Sequence, residues 1–319
     1  MGSWATIHAQ TSRAHGAHAK GHPRALDRRP VRWESPGLGP GLGVGSEARM
    51  IQDRPLIYQQ EIREQPLLPV CWDIEPLIAR GDRVVFFGEF ATFKTFLMQS
   101  LALHLAAPAP WLGFRVEEQR RVLYVDEEMN ERTMRRRSKR LEAGAGLKVE
   151  RTLAFASRLG VRFDAHGALA LLAYLRAQKF DPQVMVIDAL RRVLVGDENE
   201  ARDVAQFWRN LEPISRSGTT VIVTHHMNKP PMAGKRAARH RASGSTDILA
   251  GSDASFAVER VGPGTVKFTG IKSRDDVELA PFLVRLDDHG DRQGPVTLTA
   301  AASTKEPAPP ADDVFRRPA

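Results

Sequence analysis

The chain has 319 residues, 42% hydrophobic and 26% charged, with a formal net charge of +8 and a pI near 9.9. This suits one sizeable globular domain with tails, and the basic balance fits a polyanionic partner. Cys71 is the single cysteine, which excludes an intrachain disulfide. With no apolar run long enough for a membrane span and no leader-type apolar stretch, a cytoplasmic protein without membrane contact is expected.

Residues 1 to 50 are rich in Gly, Pro, Ala, His and Arg and carry little apolar periodicity. They read as a disordered basic tail, with seven Lys and Arg against three acids. His8, His15, His18 and His22 lack Cys or carboxylate partners in a folded frame, so a solvated tail is a better reading than a metal site. Residues 51–299 read as one domain, and 300–319, rich in Ala and Pro, as a disordered C-terminal tail. Residues 65–80 lead into the core and end in the turn Arg80-Gly81-Asp82.

The run Val84-Val85-Phe86-Phe87 has β character. A turn follows, Gly88-Glu89-Phe90-Ala91-Thr92-Phe93, then Lys94-Thr95, then apolar residues at helical spacing from Phe96. Strand, loop, Lys-Thr and helix form the layout of a P-loop, whose N–H groups wrap a polyphosphate at a helix N-terminus. Lys94 is placed to reach the β- and γ-phosphates, and Thr95 to hold Mg²⁺. Phe93 stands where the usual pattern has Gly, and its Cβ favours φ below zero.

Further elements alternate. Arg121–Asp126 reads as a strand ending in Asp126, Glu127 and Glu128. Glu131–Leu141 reads as a basic helix, with Arg135, Arg136 and Arg137 on a solvated face. Leu153–Ala156 reads as a strand, and Gly167–Lys179 as a helix with Leu169, Leu172, Ala173 and Leu175 on one side. A buried strand, Val184–Asp188, comes before a helix over Ala201–Ser215. Thr220–Thr224 is a buried strand closed by His225-His226. Trp111 is expected to pack beneath the loop Pro108–Gly113. Such alternation predicts an α/β fold: a mainly parallel sheet with helices on both faces. Ser255–Arg260, Thr265–Lys272 and Phe282–Leu286 then read as an antiparallel C-terminal extension.

NTP hydrolysis needs a carboxylate for the metal, a group for the attacking water, and positive charge for the transition state. Asp188 ends an apolar strand as a Walker B aspartate does. Glu128 can polarise water, with Glu127 and Asp126 competing for the role, and His225 and His226 can sense the γ-phosphate. The segment 229–246 carries Lys229, Lys235, Arg236, Arg239 and Arg241 without an acid. It reads as a basic loop, either a solvated surface loop or one suited by its charge to phosphate contacts, and contact with single-stranded DNA is what resemblance to RecA-like rings implies for it.

The strings GEFATFKTFLMQSLALHLA, VLYVDEEM, VMVIDAL, GDENEARDVAQFW, VIVTHHMNK and GSTDILAGSDASF, in this order over residues 65–290, resemble the RecA-like P-loop ATPases of plasmids and phages, the RepA-type hexameric helicase group. Members resembling this chain also place Phe before the P-loop Lys. The resemblance implies a RecA-like core, ATP and Mg²⁺ as cofactors, and a homo-hexameric ring on single-stranded DNA with a replication initiator or primase as possible partner. It matches Gly88 through Phe96 to the nucleotide loop, Lys94 and Thr95 to the Walker A pair, and Glu128 to the glutamate of a Y-x-x-x-E pattern from Tyr124. It also matches Asp188 to Walker B and His225-His226 to the histidine motif. Lys272-Ser273-Arg274 resembles a Lys-x-Arg that enters a neighbour's site, whereas Asp253 stands where the plasmid helicase has an arginine finger. The leading expectation is a DNA-stimulated ATPase or helicase of a plasmid or phage replication system. The alternatives are a RecA-like regulatory or recombination-mediator ATPase without unwinding activity, and a nucleic-acid-binding scaffold with a silent P-loop.

Overall fold

The computed structural model describes residues 56–226 and 247–302. The DNA-binding loop expected over 229–246 lies outside them, as do the tails over 1–50 and 303–319. The described chain opens on a short helix α1 (Gln59–Glu64), none of whose residues is buried. The described residues from Val70 onward form one compact unit.

That unit begins with a two-stranded hairpin, β1 (Trp72–Ile74) and β2 (Ile78–Ala79). Buried Asp73 ties it to its neighbours: Thr220 donates a hydrogen bond to the carboxylate at 2.5 Å, and the Arg120 guanidinium lies 2.7 Å away. A nine-stranded sheet follows, built from β3 (Arg83–Gly88), β4 (Val122–Asp126), β5 (Leu153–Ser157), β6 (Val184–Asp188), β7 (Thr220–His226), β8 (Ala254–Gly262), β9 (Thr265–Ser273), β10 (Phe282–Asp287) and β11 (Thr297–Ala302). The spatial order is β11-β10-β9-β8-β3-β7-β6-β4-β5. From β8 to β5 every pairing is parallel, and β9, β10 and β11 continue antiparallel.

Side chains alternate across these strands, and the core is two layers. On one face Val84, Phe86, Val122, Tyr124, Val184, Val186 and Ile222 pack against α2 (Lys94–Ala106) through Leu97, Met98, Leu101 and Leu105. Trp111, fully buried as expected, meets Phe86 and Phe268 edge-on from this side. Outside α2 lies α3 (Glu131–Ala145), whose Leu141 joins Leu103 and Val296 in a satellite cluster. On the other face Val85, Phe87, Leu123, Val125, Met185, Ile187, Val221 and Val223 meet α4 (Gly167–Ala177) and α6 (Ala201–Ser215). The short helices α5 (Leu190–Val193) and α7 (Asp247–Ala250) contribute Leu190, Val193 and Ile248 to that layer.

This is the expected α/β architecture, a mainly parallel sheet with helices on both faces and an antiparallel C-terminal extension, with three corrections. β8 is the last parallel strand, pairing with β3 in register Val84↔Ala254, so the antiparallel extension begins one strand later. β11 carries the sheet to Ala302, past residue 299. In α4 the buried residues are Ala168, Leu171 and Leu175, and Leu169 is 49% exposed. In an Ala/Leu-rich helix the sequence carries apolar residues on more than one face, and the sheet selects which one is covered. Among the described residues no helix is long and apolar enough to cross a membrane.

Candidate nucleotide site

The site forms where β3, β4, β6 and β7 end, the edge at which ligands bind in open α/β sheets. Gly88 closes β3 beside β8, and a Cβ there would lie 2.3 Å from the Val258 carbonyl oxygen, so the strand end needs glycine. The loop then turns sharply. Ala91 has φ 62° and Phe93 has φ 43°, both left-handed. Phe93 thus takes the conformation for which the usual loop uses glycine, contrary to the expectation from its Cβ, and its ring is partly buried against the core. The cost is of order 1–2 kcal/mol per residue, and it turns the loop into the first turn of α2. The first bond into the helix runs from Leu97 N to Phe93 O at 3.0 Å, so the N–H groups of Lys94, Thr95 and Phe96 remain at the loop. The Phe96 ring itself turns away, under the Arg137 guanidinium at 4.8 Å.

Lys94 folds back into the loop. Its Nζ donates to Gly88 O at 2.9 Å, to Glu89 O at 2.7 Å and to Thr92 Oγ1 at 3.4 Å. Thr92 donates in turn to Glu89 O at 2.8 Å. Burial pushes the Lys94 ammonium down to about 8, against the attraction of Asp188, Glu128 and Glu89. A buried cation ringed by main-chain carbonyls at a helix N-terminus is suited to a polyanion, which would add countercharge to that of the three carboxylates.

Asp188 and Asp126 close β6 and β4 in register with one another. By alternation both share the face of Tyr124 and Val186, which α2 covers. Tyr124 Oη donates to Asp188 Oδ2 at 2.8 Å and Thr224 Oγ1 to Oδ1 at 2.6 Å. The two hydroxyls fix the carboxylate plane without neutralising it. Sequence reading missed both donors, although each lies on a strand face already marked by Asp188. With Thr95 at the start of α2, Asp188 completes a hard-oxygen donor set of the kind Mg²⁺ takes, so these residues fit the implied cation. Burial raises Asp126 to about 6, assisted by Asp188 and opposed by N–H bonds from Met129 and Glu128.

The three consecutive acids are separated by their partners. Glu127 turns to the β5 side, where its carboxylate accepts from Gly160 N at 3.1 Å and Val161 N at 3.3 Å. Asp126 is fully buried. Glu128 keeps a partly exposed carboxylate, 3.7 Å from Arg192, and it is one of the charges that Lys94 feels. Among the three, Glu128 is the one whose carboxylate is available to a bound water.

The histidine pair divides as well. His226 lies opposite Gly88 in the parallel register and senses Lys94, Glu128 and Asp188. Burial and then Lys94 push its imidazole below the usual range, and its ring tilts toward exposed Phe90 with centroids 6.5 Å apart. His225, one residue earlier, points to the opposite face and is buried. The structure therefore brings together Gly88 to Thr95, Asp188, Glu128 and His226, and leaves His225 outside.

Lys272 and Arg274 are not part of this cluster. They sit at the other end of the sheet, beside the start of β3, where Asp253 N donates to Arg83 O at 2.7 Å and Arg274 N to Asp253 O at 3.1 Å. Lys272 Nζ is engaged with the carbonyls of Leu249, Ala250 and Ser252 at 2.9, 3.0 and 2.6 Å, where it caps the chain end of α7. Arg274 pairs with Asp253 at 2.7 Å and is half exposed. Of the arginine run on α3, Arg135 pairs with Glu131 one turn earlier, and Arg137 covers Phe96.

A search of curated proteins finds no match. Among solved structures, the KaiC-like protein PH0186 of Pyrococcus horikoshii OT3 aligns with 72% of this chain and 99% of its own, at 14% identity and a TM-score of 0.49. A family model described as AAA domain, AAA_25, matches residues 54–232, which contain the P-loop, Glu128, Asp188 and both histidines. That match spans more than half of the chain, and the protein belongs to this family of P-loop ATPases.

Proposed function

We propose that this protein is an ATP-hydrolysing motor that works as a ring on single-stranded DNA, with the sites shared between neighbouring subunits, as in RepA-type helicases of plasmid and phage replication. The observation that carries the proposal is the convergence of Lys94, Asp188, Glu128 and His226 at one sheet edge while Arg274 stands at the other. β3 alone spans about 17 Å at the usual rise per residue, so Arg274 lies far from the P-loop of its own chain, and in this reading a second subunit presents it.

Within one subunit we assign the roles as follows. Mg²⁺–ATP, when bound, supplies the phosphoryl group and the charge that the loop is built to receive. The N–H groups at the start of α2 and the Lys94 ammonium hold the phosphates. Thr95 and Asp188 would hold the cation, and Tyr124 and Thr224 keep Asp188 oriented. Glu128 takes the proton of the attacking water, and His226, neutral at pH 7, offers a hydrogen bond on the γ-phosphate side.

The test is ATP turnover with and without single-stranded DNA, joined to native mass with nucleotide and DNA present. Turnover stimulated by DNA in a hexamer supports the proposal. Stimulated turnover without strand displacement would favour a regulatory or recombination ATPase, and absence of turnover would leave a binding scaffold. A variant with Lys235, Arg236, Arg239 and Arg241 changed to Ala tests the DNA path separately. Its salt slope should flatten by roughly 0.7 per lost phosphate contact.

A further inference from the structure

We propose that Asp126 is the positioning residue for Glu128, acting through the main chain of the turn that carries it. The inference rests on the reading of Glu128 as the base. Asp126 is fully buried. Its Oδ1 accepts from Glu128 N at 3.0 Å and from Met129 N at 2.8 Å, whereas Oδ2 is buried with no hydrogen-bond partner among the described residues.

The turn is held at each residue. Glu127 N donates to Asp188 O at 3.1 Å, which ties it to β6. Arg158 donates from its guanidinium to Glu128 O at 2.9 Å and from its main chain to Asp126 O at 2.8 Å. Ser157 Oγ donates to Met129 O at 2.9 Å. Of these partners, Asp126 alone holds the N–H groups of both Glu128 and Met129, and it does so with a charged acceptor. Such bonds are about twice as strong as neutral ones. The use made of the charge is to fix Glu128 N, and with it the origin of the Glu128 side chain, relative to Asp188. A displacement of about 1 Å in a catalytic group can cost on the order of 10²-fold in rate.

The experiment is a double-mutant cycle on the full chain. Turnover and equilibrium binding of a fluorescent ADP are measured for Asp126→Ala, Asp126→Asn, Glu128→Gln and the two doubles. Asp126→Ala should lower kcat on the order of 10²-fold with nucleotide affinity unchanged. Asp126→Asn, which keeps an acceptor at Oδ1, should recover at least a tenth of wild-type kcat. In the Glu128→Gln background neither Asp126 change should lower kcat further, because the group it positions is already disabled. Wild-type kcat in Asp126→Ala, an Asn variant as impaired as Ala, or full additivity with Glu128→Gln would each overturn the proposal. Should Asp126→Ala not fold, the Asn pair with and without Glu128→Gln gives the same decision. A Glu128→Gln variant with normal turnover would instead overturn the assignment of Glu128 itself.

Discussion

Asp126 and Asp188 face each other across adjacent parallel strands, at the same register position and on the face covered by the helix that begins at Lys94. One is planar-locked by two hydroxyls, and the other caps a turn. In the proposed reading the pair divides metal binding from base positioning, although both are strand-end aspartates.

Lys94→Met should abolish nucleotide binding, measured by equilibrium titration, since no other buried cation lies in the loop among the described residues. Its stability should depend on pH in a defined way. Lys94 is lowered to about 8 in the fold against 10.5 ordinarily. Between those values the unfolded chain binds more protons than the folded one, so the wild type gains stability as pH rises through the window. Denaturation of the nucleotide-free protein at pH 7.5 and pH 10 should show the wild type improving relative to Lys94→Met. An unchanged difference would mean that Lys94 is not desolvated.

Glu128→Gln should slow turnover on the order of 10²-fold or more while ATP still binds. Glu127→Gln should leave turnover near wild type and cost roughly 1 kcal/mol of stability, because it weakens two charge-assisted bonds to Gly160 and Val161. A reversal of these two outcomes would move the base by one residue.

His226→Ala should lower kcat and leave the fold intact, whereas His225→Ala, buried on the opposite face, should lower the melting temperature. Because His226 is held below its usual value, the unfolded chain takes up its proton first as pH falls below about 6.5. Stability from this group is therefore present above that value and is lost on acidification. Thermal melts between pH 5 and pH 7 of wild type and His226→Asn check the sign: the variant should lose less on acidification.

Much of the fold was legible because its strands are short apolar runs bounded by turns. The helix Ala201–Ser215 shows its buried face through Val204, Phe207, Trp208, Leu211 and Ile214 at helical spacing. The nucleotide loop and Asp188 were legible as motifs. What sequence spacing left open was direction. Strand alternation separates His226 from His225, and hydrogen bonding separates Glu128 from Glu127, yet both pairs look equivalent as strings. Phe93 was hidden for another reason: its left-handed φ is imposed by the loop closing onto α2, against the residue's own preference. Lys272 looked like a finger because its context matches one, but three carbonyls already occupy its donors.

Arg274 is the remaining candidate for the proposed finger, and that function should be visible only between subunits. It lies beside the start of β3, a strand length from its own P-loop, and its partner Asp253 also holds Arg83 N at 2.8 Å. Arg274 is half exposed and Asp253 keeps Arg83 as a partner without it, so loss of the pair should change stability by no more than about 1 kcal/mol. A finger that reaches a neighbour's phosphate contributes roughly 10³–10⁵ in turnover. Arg274→Ala should therefore leave the melting temperature nearly unchanged and remove almost all ATP hydrolysis. Lys272→Ala should do the reverse, lowering stability by about 1–3 kcal/mol as three carbonyls lose their donor. Mixing Arg274→Ala subunits with Lys94→Ala subunits should then restore part of the activity, because some interfaces pair an intact loop with an intact arginine. Exchange is followed by native mass using subunits of distinguishable size. Mixed oligomers that form but stay inactive would show that Arg274 does not act across the interface.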